Sequence, residues 1–231
     1  MCFIPLTPHP SHRQWMGAWP SISERLNWYR YTITGKEPLT MDSDLEKLLD
    51  RFIEQSMEVQ QKHYGALPQL PFDPDWPSAC VVESEPNADQ SVHWHPVTQQ
   101  PASDMFERLA KVLEIELHPD IRTWYTRYWS DPLPARHPDG ELTLLFCWNE
   151  EDMERLRGNQ LGHLMAKQKQ RHPLSLFFAC TDGDEFMTVD NRDGSVWLER
   201  PGRKPIKRLA GSLSEFLAAL TPLPIAYSLK Q

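Results

Sequence analysis

Nowhere does this chain of 231 residues keep an apolar run near the 20 or so residues that a membrane-spanning helix needs. Cysteine is scarce. Cys2, Cys80, Cys147 and Cys180 stand far apart, and no pair has zinc or redox spacing. Two of them lie inside apolar strand-like runs, so buried, reduced thiols of a cytosolic protein are expected. Pro5, Pro8 and Pro10 interrupt any apolar core at the N-terminus, and no signal peptide is expected there. The catalytic signatures G-x-S-x-G and H-E-x-x-H, a P-loop and a dinucleotide fingerprint are all missing. No internal repeat is present.

Positive charge is also in deficit. The formal net charge is −8, which argues against nucleic acid as the main partner and against direct adhesion to an anionic lipid surface. The deficit is local. Residues 1–40 carry two acids and four bases; residues 41–155 carry 23 acids and nine bases; residues 156–231 carry seven acids and 11 bases. The acid excess sits mid-chain, and its natural complement is a basic partner.

What is present organises around residues 142–180. Residues 142–148 (LTLLFCW) have the length and composition of a strand buried on both faces. Asn149 is a good N-cap, and Glu150, Glu151 and Asp152 fill a first helical turn, where carboxylates oppose the positive end of the helix dipole. Met153, Leu156, Leu161 and Leu164 recur at helical spacing, and Lys167, Lys169 and Arg171 gather at the far end. His172-Pro173 stops the helix, and residues 174–180 form a second apolar strand.

Around this unit the rest falls into place. Ser43 and Glu46 form a capping box for a helix running to about Tyr64 and ending at Gly65. Pro68, Pro71, Pro74 and Pro77 make a rigid extended connector. Residues 79–82 and 91–97 read as strands, and Ser103 caps a helix with Phe106, Leu109, Ala110 and Leu113 on one face. Pro119 opens a short helix through Ile121, Trp124, Tyr125, Tyr128 and Trp129. A strand at 133–136 turns at His137-Pro138-Asp139-Gly140 onto the central strand. Strands at 186–189 and 195–199 follow as a meander, then a basic loop with Arg203, Lys204, Lys207 and Arg208. A second capping box, Ser212 and Glu215, begins the last helix. The expected fold is α+β, a mostly antiparallel sheet with helices packed against it, in one domain over residues 41–231. Residues 1–40 read as an extension, and Met41 is a plausible start.

Candidate chemistry is sparse. His93 and His95 share one face of a strand and could ligate a metal in a hydrolase, but no third ligand is identifiable. His163 suits a packed or solvent-facing role better than a catalytic one, and Gly162 suits close helix–sheet contact. Glu150, Glu151, Asp152 and Glu154 are adjacent rather than convergent, so they serve the helix dipole or a binding surface. Four aromatics between Trp124 and Trp129 cannot all point inward from one short helix, so at least one should line a groove.

Three stretches carry a family resemblance: residues 106–128 (FERLAKVLEIELHPDIRTWYTRY), residues 142–180 and residues 212–222. Gly162-His163-Leu164 with Gln168 fits the same pattern. From Met41 onward, about five-sixths of the chain, the sequence resembles the Syd family of SecY-interacting proteins within the SUKH superfamily. The resemblance implies a SUKH-like fold, no catalysis and no cofactor. It also implies peripheral binding to the cytoplasmic loops of SecY, at the cytoplasmic face of the inner membrane, through a concave acidic surface that monitors or negatively regulates the translocase. The residues expected there are Glu150, Glu151, Asp152 and Glu154, with Asp131, Asp139 and Glu141 from the hairpin, plus Trp124 and Tyr128. An immunity-type module that neutralises a basic toxin would use the same physics with a soluble partner.

Overall fold

The computed structural model describes residues 42–83, 85–87 and 90–226. The expected extension over residues 1–40 lies outside them. Helix α1 (Asp42–Tyr64) buries Leu45, Leu49, Phe52 and Ile53, spaced to form one stripe. It ends where Gly65, at φ 70°, donates its N–H to Gln61 O at 2.9 Å, a conformation that favours glycine. The side chain of Ser43, the expected cap, is outside the described residues. The proline connector is not a bare spacer. It contains β1 (Gln69–Pro71), paired antiparallel with β2 (Ser91–His93). The strand expected over 79–82 reduces to one bridge between Val81 and Trp94. The strand expected over 91–97 divides into β2 and β3 (Val97–Thr98), and β3 pairs with β4 (Tyr128–Trp129).

Between these strands lie α2 (Met105–Leu113) and α3 (Pro119–Arg127). Ser103 Oγ accepts the N–H of Met105 at 3.3 Å, and His118 caps α3 through its ring nitrogen. The main sheet has seven strands in the order β10 (Lys207–Ala210), β9 (Val196–Glu199), β8 (Phe186–Asp190), β7 (Ser175–Cys180), β6 (Gly140–Leu144), β5 (Leu133–His137), β11 (Thr221–Pro222). Every neighbouring pair is antiparallel. The segment expected as a basic loop therefore ends in an edge strand, with Lys207 and Arg208 exposed on it as charged edges commonly are. The sheet curls: Lys207 on β10 reaches Asp139 in the β5–β6 turn, Nζ to Oδ1 at 2.6 Å.

Helix α4 (Glu150–Gln170) links β6 to β7 and packs on α2 and β7, while α5 (Leu213–Ala218) packs on α1 and β10. All six residues of β7 are buried, so it is the centre of the core. Phe178 meets Trp124 of α3 and Phe216 of α5, and Phe177 meets His163 of α4. Ser212 caps α5 by accepting the N–H of Glu215 at 3.1 Å, as the capping box predicts. Gly162 does not touch the sheet. A Cβ added there would meet nothing within 4 Å, so its expected packing role is corrected. Cys80, Cys147 and Cys180 are buried thiols.

Where α4 crosses the sheet it buries an ion pair, Lys167 Nζ to Glu199 Oε2 at 2.5 Å. Glu199 Oε1 also accepts from Ser175 Oγ at 3.0 Å and Thr188 Oγ1 at 2.8 Å. His163 Nε2 lies 3.2 Å from Ser175 Oγ. Burial pulls the His163 pKa down to about 4, so the ring is neutral at pH 7. Lys167→Met strands the Glu199 charge and is expected to cost about 3 kcal/mol in urea unfolding. Lys167→Met with Glu199→Gln should recover part of that loss. A single-mutant loss below about 1 kcal/mol would show that the pair is not held apart from water.

Candidate partner-binding cleft

Strand β6 stops at Leu144, although the apolar run continues to Trp148. The Leu145 N–H still donates to Phe178 O of β7 at 2.9 Å; after that bond the chain leaves the sheet, and other elements satisfy its polar groups. Leu145 O accepts the indole N–H of Trp124 at 2.9 Å. Cys147 O accepts the N–H of Ser130 at 2.9 Å. Trp148 O accepts from Ser78 Oγ at 2.5 Å, and the Trp148 indole donates to Trp76 O at 3.1 Å. Asn149 caps α4 by accepting the Asp152 N–H at 2.9 Å, and its own amide donates to Pro77 O at 2.8 Å. These bonds pull residues 76–80 across the start of α4. An open cleft of about 290 Å³ results. Pro77, Ser78 and Ala79 form one side, Trp129 and Trp148 supply indoles, and Asn149 and Glu150 close the end.

Three of the expected acids gather here. Glu150 is exposed and lines the cleft. Asp152, two residues on, accepts the backbone N–H of Trp148 at 3.0 Å. Burial raises its pKa, while that N–H and the charge of Arg155 oppose the rise. Asp131 follows Trp129 by two residues. Burial pushes its carboxyl up to about 7, and the nearby Asp152 charge adds to the rise. Among the described residues no hydrogen bond reaches the Asp131 carboxyl. The thiols beside these acids stay protonated: burial raises Cys80 to about 11 and Cys147 well above its ordinary value.

The other candidates lie elsewhere. Glu151 is exposed on the first turn of α4. Glu154 is held by Arg108 at 2.6 Å and Arg157 at 2.7 Å; the hydrogen bonds from Arg157 and Arg108 lower its pKa. Asp139 is held by Lys207 and Glu141 by Arg136, both at the turn of the hairpin. That turn is four strand positions, about 13 Å, from the end where Asp131 sits. Trp124 is 0% exposed and stacks on Phe146 at 5.2 Å, so its place is the core rather than a partner surface. Tyr128 is 8% exposed, and its hydroxyl donates to Asp50 Oδ1 at 2.7 Å, alongside Arg127. The aromatic that lines a groove is Trp129, the last of the four.

The chain also brings Trp76, Trp148 and Ser78 to this place, which no local sequence pattern marked. Arg155 lies 3.9 Å over the Trp76 ring. His93 and His95 do not pair as ligands. His93 Nδ1 contacts Glu83, and Gln69 Nε2 sits 2.6 Å from His93 Nε2. His95 lies beyond the end of β2, with Nδ1 3.0 Å from Pro96 O. The metal-hydrolase expectation thus loses its geometry: both imidazole nitrogens of His93 are occupied. Among the described residues no three His, Cys, Asp or Glu side chains group as a metal site, and no helix is long and apolar enough to cross a membrane.

The family described as Syd protein (SUKH-2) matches residues 43–222 of this chain. Protein Syd of Pseudoalteromonas atlantica is 39% identical over 184 residues, covering 79% of this chain and 98% of the relative. Protein Syd of Colwellia psychrerythraea is 39% identical over 194 residues, covering 78% and 96% respectively. Protein Syd of a Shewanella strain, MR-7, is 39% identical over 176 residues, covering 75% and 81%.

The raised Asp131 pKa has a stability consequence of definite sign. Between about pH 4 and pH 7 the folded chain keeps a proton that the unfolded chain has lost, so this group's contribution falls as pH rises through that window. Asp131→Asn removes the effect. In urea unfolding its advantage over the native chain should be near zero at pH 4. It should grow through pH 7 and level off at a few kcal/mol, at about 1.4 kcal/mol per pKa unit. A variant equally stable with the native chain at pH 8 would show that the carboxyl is well solvated.

Proposed function

This chain belongs to the Syd (SUKH-2) family, and from that premise we propose that it binds the SecY subunit of the translocon at its basic cytoplasmic loops. The single observation that carries the reading is family membership over residues 43–222. The cleft adds a physical rationale. Cytoplasmic loops of membrane proteins are rich in Lys and Arg, and an acidic hollow complements them. Glu150 and Glu151 supply exposed negative charge at the start of α4, Asp152 and the partly protonated Asp131 lie close by, and Trp129 and Trp148 are the apolar walls. Glu154, Asp139 and Glu141 widen the acidic surface, but each already has an intramolecular cation.

Magnitudes assign the roles. An exposed ion pair contributes about 0.2–1 kcal/mol, and micromolar affinity needs about 8 kcal/mol. Charge therefore sets encounter rate and selectivity, and packing against the indoles supplies much of the remainder. The chain acts as a binding protein, without catalysis or cofactor, in the cytoplasm and peripherally at the cytoplasmic face of the inner membrane. There it monitors or negatively regulates the translocase.

Glu150→Lys with Glu151→Lys changes only exposed side chains, so folding should be kept. The double variant is expected to capture at least about tenfold less SecY from solubilised membranes than the native chain at low salt. The difference should shrink as salt screens both. Capture by the reversed-charge variant that equals the native level and ignores salt would remove the start of α4 from the docking surface.

A further inference from the structure

The cleft is small. At about 290 Å³ it has room for one long side chain but not for a helix, whose diameter is about 10 Å. Of its two indoles Trp129 is partly open to solvent while Trp148 is buried, and its nearest exposed charge is the Glu150 carboxylate. The chain already shows how a cation sits on this surface: the Arg155 guanidinium lies 3.9 Å over the Trp76 ring, next to the cleft-lining Pro77. A guanidinium is flat and weakly hydrated, so it stacks on indole with little desolvation cost; an ammonium keeps its water.

We propose that the cleft between residues 77–79, Trp129 and Trp148 seats one arginine side chain of the basic partner. Its guanidinium lies on an indole, balanced by Glu150 at the rim and by the Asp131–Asp152 pair behind. The proposal rests on the docking reading above and narrows it to one residue type at one place.

A proton follows from the seating. Asp131 stands two residues after the cleft-lining Trp129, and burial, with the like charge of Asp152 adding to it, holds its carboxyl up at about 7; the neutral thiols of Cys80 and Cys147 lie beside the two acids, Arg155 acts on Asp152, and Glu150 is at the rim. An arriving cation favours the ionised carboxyl. Binding therefore releases a proton and tightens as pH rises from 6 to 8.

The test uses the full chain and a synthetic peptide of alternating serine and arginine, with lysine and citrulline versions at equal ionic strength. The arginine peptide is expected to bind about fivefold tighter than the lysine peptide, and the uncharged citrulline peptide far more weakly. Trp129→Leu should bring the arginine-to-lysine ratio to about one, and Asp131→Asn should flatten the pH dependence. Glu150→Gln, at an exposed rim position, should weaken both charged peptides without disturbing the fold. Equal binding of the arginine and lysine peptides to the native chain overturns the proposal, as does an arginine preference that survives Trp129→Leu in a folded variant. SecY capture with no arginine preference sinks the cleft assignment alone. An arginine preference without SecY capture keeps the cleft and sinks the choice of partner.

Discussion

The architecture depends on five residues without regular structure, 145–149. A chain leaving a sheet exposes backbone donors and acceptors that must be paired if buried. Here the Leu145 N–H stays on β7 through Phe178 O, the Trp148 N–H goes to Asp152, and the carbonyls are answered by different parts of the molecule. The Leu145 carbonyl takes the indole of α3, the Cys147 carbonyl takes the chain after β4, and Trp148 and Asn149 take the connector at 76–78. The same five residues cap α4 and pack Trp148 edge-on against the buried Trp94. Loss of that hub would release the connector, the start of α4 and the packing of α3 together.

The cleft is a by-product of this hub. Residues 76–80 are drawn over the helix start, and Trp129 arrives through its bridge to Cys147. Acids then find themselves in partly dry surroundings. The Asp131 carboxyl, buried beside the Cys80 thiol and another carboxylate, gains little from the fold, and its raised pKa measures the cost. Such groups repay their cost when a cation arrives, which is a property of binding sites rather than of cores. Three other mid-chain acids are treated differently. Arg108, Arg157, Arg136 and Lys207 neutralise Glu154, Glu141 and Asp139 within the chain, so formal charge overstates the charge open to a partner.

Much of the fold was legible because local rules and tertiary demands agreed. Asn149 caps α4, Ser212 and Glu215 begin α5, and the His137–Gly140 turn closes a hairpin, each by bonds that span only a few residues. Apolar runs with strand length became strands where the ladder continued. They failed where it did not: residues 145–148 are as apolar as β6, but the carbonyls of Leu145, Cys147 and Trp148 bond partners outside the sheet. Gly162 suggested contact by composition and has none, because helix α4 turns that face to solvent.

Local sequence alone settles the α+β class, the places where helices start, the buried character of residues 175–180 and the acid excess of the middle of the chain. These follow from periodicity, capping chemistry and charge counts, which need only neighbours in the chain. Which aromatics face a partner was decided by the tertiary structure alone. Trp124 and Trp129 are five residues apart on similar chemistry, yet one packs between Phe146 and Phe178 while the other lines the cleft. Which acids act together was decided the same way, because the separation of Asp131 from Asp152, and of both from Asp139, is set by strand pairing and long-range hydrogen bonds.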